Sequence, residues 1–197
     1  MAAESEQIED VEVEPELDAE TRLRRDMALR LIRRYGDPVL RSRALAVDRF
    51  DARLLDEVRR MGQLMHDAFG IGLAATQVGV MHRVLVYRVE PEAPVAGLVN
   101  PTLEWTSAET EVMEEGCLSL PGVRVEVERP VHVRVRGLDE RGDGLLIEAS
   151  GLEARVIQHE MDHLDGVLIL DRTSRAERKQ AMRDLRERLA EEESAAA

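Results

Sequence analysis

The sequence predicts an α+β fold: antiparallel β-sheets packed around a central helix, with an N-terminal helix and a C-terminal helix. Three observations predict it. Residues 20–34, 51–68 and 152–167 place side chains at helical spacing, and 174–193 pairs Arg with Glu as a solvated helix does. Val123, Val125 and Val127 alternate with charged residues, as do Val131, Val133 and Val135, which is the period of a half-buried strand. A polar turn at 139–144 folds Leu145–Ile147 back on the second of these strands, and a hairpin is antiparallel.

Taken in order, residues 1–19 read as an acidic, disordered extension. The first twenty residues hold nine acids and no Lys or Arg, so most of the formal charge of −13 is local. The remaining body is only mildly acidic, which argues against direct DNA binding through a basic surface. In the first helix, Leu23, Met27, Leu31 and Ile32 share one side, and Tyr35-Gly36-Asp37-Pro38 ends it. The second carries Leu54, Leu55, Val58, Met61, Leu64, Met65 and Ala68 on an apolar face, with His66 read as a surface or capping histidine. Residues 83–88 read as a strand and 98–101 as a short extended piece. Gly116 on one side and Pro121-Gly122 on the other make a tight turn that holds Cys117. Arg129-Pro130 joins the two valine strands, and His132 falls on the polar face of the second. Ser150-Gly151 opens the third helix and Gly166 stops it, and Ser174 caps the last. Domain limits follow: an extension over 1–19, a folded unit over 20–173, and a helix and tail over 174–197.

Composition narrows the function classes. Hydrophobic residues make up 44% of the 197, enough for a core, but aromatics are only 3%, too few for a base-stacking platform. The single cysteine rules out an intrachain disulfide scaffold. No apolar run approaches the roughly 18 residues that span a bilayer, and no signal-peptide pattern opens the chain, so a cytoplasmic location without membrane contact is expected.

The chemistry concentrates in Gln158-His159-Glu160-Met161-Asp162-His163. On a helix, His159 and His163 lie one turn apart on one face and can grip one transition metal. Glu160 stands beside them as a candidate general base. The alternative is an ordinary charged helix with two surface histidines. For a third ligand, one protease pattern would need a histidine at position 169, which is Ile169. Another would use a downstream carboxylate, Glu187 or Glu191. A third option is Cys117, whose thiolate is a strong ligand for iron or zinc. The run Gly70-Ile71-Gly72-Leu73-Ala74-Ala75-Thr76-Gln77 lacks the third glycine or Gly-Lys ending of a phosphate loop. Its polar Gln77 closes an apolar run, and a buried amide needs a partner, one candidate being a substrate.

Three motifs in this order, Gly70 to Gln77, Glu115-Gly116-Cys117-Leu118-Ser119, and Gln158 to His163 with Leu164, together resemble the signature of the peptide deformylase family. Tyr35 to Arg41 resembles its opening segment, and the likeness covers roughly residues 30 to 172. It implies a hydrolase that removes the formyl group from the formylmethionine of nascent polypeptides. By that resemblance Cys117, His159 and His163 bind one divalent metal, Fe(II) first and Zn, Ni or Co as alternatives. Glu160 moves protons, while the Gln77 amide and the Leu118 N–H bind the formyl oxygen. Ile71 and Gly72 line the peptide's edge, and Glu115 and Arg124 support the substrate pocket. Ile71, Leu152 and Val156 are expected to line a methionine pocket. Two features depart from the family pattern: the long N-terminal extension, and Arg155, expected at the pocket rim. The last helix carries seven basic and four acidic residues over 171–190, a candidate ribosome contact. Rival readings are a metalloprotease cutting internal peptide bonds and a ribosome-binding module with a structural metal.

Overall fold

The computed structural model describes residues 17–195, without the side chains of the last five. The acidic stretch 1–16 therefore lies outside the described residues. In chain order the elements are α1 (Ala19–Leu31), a 3-10 turn (Pro38–Arg41), α2 (Ala52–Asp67), β1 (Gly72–Ala74), a second 3-10 turn (Ala75–Val78), β2 (Val84–Tyr87) and β3 (Ala96–Thr106). They continue with β4 (Thr110–Cys117), β5 (Leu120–Pro130), β6 (His132–Leu138), β7 (Gly144–Ser150), α3 (Gly151–Leu164), a 3-10 turn (Ile169–Asp171) and α4 (Arg175–Ala195). Five strands form one antiparallel sheet in the order β1-β2-β3-β6-β7, while β4 and β5 form a separate two-stranded sheet. The α+β class is as expected.

The large sheet is covered on both faces, so β2 is buried along its whole length. On one face, Leu54, Val58, Met61 and Met65 of α2 pack against Leu73, Val84, Val86 and Val99. On the other, Ala154, Ile157, Met161 and Leu164 of α3 pack against Leu85, Leu98, Val133 and Val135. Full burial of a side chain such as Ile157 or Leu164 stabilises by about 1.5–3 kcal/mol, which fixes α3 to the sheet. The inward valines of β5 form a third cluster with Leu168, Leu170, Ala181 and Leu185, so α4 is seated on the small sheet. Ser174 caps α4, its Oγ accepting from the Glu177 N–H at 3.2 Å.

Four details depart from the sequence reading. The apolar side of α1 faces outward: Leu23, Met27 and Leu31 are 60–65% exposed, and Ala28 and Ile32 make the contact with the core. Spacing identifies a face but not what covers it, and among the described elements α1 packs chiefly on α2. The helix also ends at Leu31 rather than Arg34. Beyond it the chain straightens, because the Arg33 N–H donates to the Gln77 carbonyl (2.7 Å) and the Tyr35 N–H to the Ser119 carbonyl (2.9 Å). Strand β4 was unforeseen, and the short piece at 98–101 is part of the eleven-residue β3. Finally, Arg129-Pro130 is not a turn but the end of β5, and the two valine strands belong to different sheets.

Candidate metal centre

Two elements that share no sheet meet at the site. Cys117 is the last residue of β4, just before the two-residue Leu118-Ser119 turn into β5. His159 and His163 lie one turn apart on α3, their rings 4.9 Å between centroids. Donor atoms of these three residues lie within 4.8 Å of one another, and Cys117 Sγ is 3.2 Å from His163 Nε2. Among the described residues this is the group of His, Cys, Asp or Glu spaced to hold a metal ion. The competing third ligands are elsewhere. Ile169 is buried in the third cluster, Glu187 is exposed on α4, and the side chain of Glu191 lies outside the described residues.

The electrostatics suit a cation. Burial and the neighbouring His159 push the His163 pKa well below its usual value, keeping the imidazole neutral, which is its ligand form. Burial also disfavours charge on His159, but hydrogen bonds with Cys117 and Glu115 outweigh it and raise its pKa well above the usual value. The His159 ring thus lies between a thiol and a carboxylate, both of which favour positive charge on it. A soft thiolate with two imidazoles fits a transition metal, and three protein ligands leave a fourth position open.

Glu160 is 4% exposed, and its Oε2 has no hydrogen-bond partner. Burial raises its pKa to about 7. Gly72 stands directly behind it, where any Cβ would collide with the carboxylate. Gln77 is 2% exposed. Its Oε1 accepts from the Ala74 N–H (2.9 Å), which turns Nε2 toward Ser119 Oγ (3.2 Å) and Cys117 Sγ (3.7 Å). Leu118 follows Cys117 in the turn. A cavity of about 220 Å³ opens beside His159, lined by Ile71, Met113, Arg124, Leu152 and Val156. Ile71 and Leu152 are half-exposed at its mouth, and Val156 is buried. Arg124 points outward, 3.5 Å from the Glu114 carboxylate. His66 is exposed and pairs with Arg88, and His132 pairs with Ser150 Oγ, so both stay apart from the site.

Behind the site lies a buried charge network that the sequence reading missed. Glu115 Oε2 accepts from His159 Nδ1 (3.0 Å), leaving Nε2 for the metal side. The same carboxylate takes a two-pronged contact from Arg129 (2.6 and 2.9 Å) and one from Arg155 (2.8 Å). Arg129 also donates to Asp162 (2.9 Å), which Arg172 clasps from the surface. Arg155 lines the cavity from within rather than at an exposed rim: it is 6% exposed, with its guanidinium turned into the protein. A signal for Arg129 existed, since positions 123, 125, 127 and 129 share one strand face.

Burial alone would raise the Glu115 pKa, but hydrogen bonds from His159 and Arg129 bring it down to about 2. A folded-state pKa below the unfolded value stabilises the fold above about pH 4.5, and that contribution is lost as pH falls toward 2. Glu115→Ala would strand the Arg129 and Arg155 guanidiniums in the interior, so it should cost about 3–5 kcal/mol in urea unfolding. Glu115→Gln should flatten the acid limb of the stability profile. An unchanged profile would remove Glu115 from the account.

The Polypeptide deformylase family model matches residues 29–179. A peptide deformylase of Acidothermus cellulolyticus is 47% identical over 161 residues, 82% of this chain and 88% of that protein. One from Thermotoga maritima is 48% identical over 147 residues, 75% of this chain and 88% of that protein. The solved structure of a peptide deformylase from Synechococcus elongatus in complex with actinonin superposes with TM-score 0.75 at 45% identity, covering 78% of this chain and 85% of that one. The Thermotoga maritima crystal structure gives 0.70 at 46%, covering 73% and 96%. A cysteine and two histidines gathered from a hairpin and a helix, the motif order and these likenesses agree: the chain belongs to the polypeptide deformylase family.

Proposed function

We propose that this enzyme removes the N-formyl group from formylmethionyl nascent polypeptides with one divalent metal held by Cys117, His159 and His163, Fe(II) in the cell and Zn, Ni or Co as substitutes. The observation that carries the reading is the convergence of those three donors beside a buried carboxylate with a free oxygen. Bound there, the ion supplies Lewis acidity and makes water nucleophilic at neutral pH.

The chain's own groups do the rest. Glu160 Oε2 accepts a proton from the attacking water as its oxygen bonds to the formyl carbon. The same carboxyl returns that proton to the amine nitrogen as the C–N bond breaks, giving formate and a free amino terminus. Gln77 Nε2 and the Leu118 N–H donate to the formyl oxygen as it gains charge, each worth about 2.7–4 kcal/mol to the transition state. The peptide runs extended along Ile71 and Gly72, where the outer edge strand β1 begins. The methionine side chain enters the cavity walled by Ile71, Leu152 and Val156, and Arg124 borders it.

Residues 20–173 form the catalytic unit in this reading, with 1–19 as an accessory extension and 174–197 as a helix and tail. Exposed Arg175, Arg178, Lys179 and Arg186 make α4 a candidate ribosome contact, which would place the enzyme in the cytoplasm beside its substrate. The mildly acidic body outside the first twenty residues does not favour direct DNA binding. Among the described residues no helix is long and apolar enough to cross a membrane. The test is formate release from a formyl-Met tripeptide before and after treatment with a chelator. Release that stops on metal removal and returns on reloading is expected, and release indifferent to metal would contradict the proposal.

A further inference from the structure

The metal ligands sit on two bodies that no common sheet joins, and the apolar cluster that seats α3 holds no residue of the Cys117 hairpin. Helix α3 buries its apolar side against the five-stranded sheet. The hairpin that carries Cys117 buries its valines against residues 168–170 and α4. Apolar packing is non-directional, so two separate clusters do not set the distance between Cys117 and the histidines to within the few tenths of an ångström that ligation needs.

The hydrogen bonds that tie α3 itself to the hairpin come from one polar face. Arg155, Gln158 and Asp162 follow one another on α3 at spacings of three and four, and therefore on one face. Gln158 Nε2 donates to the Pro130 carbonyl (3.0 Å), and Asp162 accepts from Arg129 of β5 (2.9 Å). Arg155 does most. Its Nη1 donates to the Val127 carbonyl of β5 (2.9 Å) and to Glu115 of β4 (2.8 Å), and its Nη2 donates to the Glu111 carbonyl of β4 (2.7 Å). One planar fork, one turn before His159, thus grips both strands of the Cys117 hairpin and the carboxylate that orients His159. A guanidinium holds such a geometry rigidly, which an ammonium does not.

We infer that Arg155 is a positioning residue that registers the Cys117 hairpin against the histidine helix and so completes the metal site. In this role it acts through the hairpin and the Glu115 carboxylate rather than as a ligand. The inference rests on the reading of Cys117, His159 and His163 as ligands, and its test separates the two.

The wild-type protein, Arg155→Met and Arg155→Lys are stripped of metal and reloaded with Co(II). Affinity is read by competition with a chelator, and the sulfur-to-Co(II) charge-transfer absorption reports how Cys117 meets the ion. Arg155→Met should weaken affinity by about 10–100-fold, the usual effect of losing a partner that orients a ligand. Its charge-transfer band should shift or fade. Arg155→Lys keeps the charge but loses the fork, and should fall between. A merely structural role would lower apo-protein stability and leave the band of the folded, loaded protein unchanged. Wild-type affinity and an unshifted band in either folded variant would overturn the inference. If Arg155→Met does not fold, Arg155→Lys decides. A wild-type protein that binds no Co(II) would instead sink the ligand assignment itself.

Discussion

Replacing Glu160 with glutamine should lower formyl-Met turnover by about 10²–10⁴-fold while metal content and fold stay as they are. The amide has the shape of the carboxylate, so the tight seat against Gly72 is kept. It cannot take a proton from water and return it to an amine. The buried, unpartnered Oε2 is what leaves the carboxylate free for both acts. Single-turnover rates beside metal analysis check this. A variant within tenfold of the wild type would remove Glu160 from the proton path.

The second large effect concerns the third ligand. Cys117→Ser changes one atom at the end of β4, where Sγ lies 3.2 Å from His163 Nε2. A hydroxyl is a far poorer ligand than a thiolate for a transition ion. The loss should exceed the roughly 100-fold seen when only an orienting partner is removed. Gel-filtered protein should therefore carry little metal and release little formate, with thermal unfolding of the apo form close to that of apo wild type. Full metal occupancy in Cys117→Ser would mean that the site is built from other residues.

Much of this site could be read from the sequence because its parts are marked by residue type and spacing. His159 and His163 announce a shared helix face, a lone Cys117 between a glycine and a Pro-Gly stands out, and Gln77 ends an apolar run. What stayed hidden was the framework between them. Strand β4 shows no apolar alternation, because its one buried side chain is Glu115. Arg129 reads as part of a turn and Arg155 as a charge at the pocket rim, since a charged residue betrays nothing of a buried partner 14 or 40 positions away. The exposed stripe on α1 failed for the opposite reason: Leu23, Met27 and Leu31 have the spacing of a core face, but no neighbour among the described residues buries them. Periodicity reports the faces of an element, and long-range charge pairing decides how two elements are set against each other.

The most direct measurement is which bond breaks. Metal-loaded protein is given a peptide with an N-terminal formylmethionine, its N-acetyl counterpart and the same sequence with a free amino terminus, and the products are identified by mass spectrometry. Formate and one intact deformylated peptide from the first, with the other two unchanged, is the predicted result. Cleavage of an internal peptide bond in any of them, or no formate from the first, would contradict it.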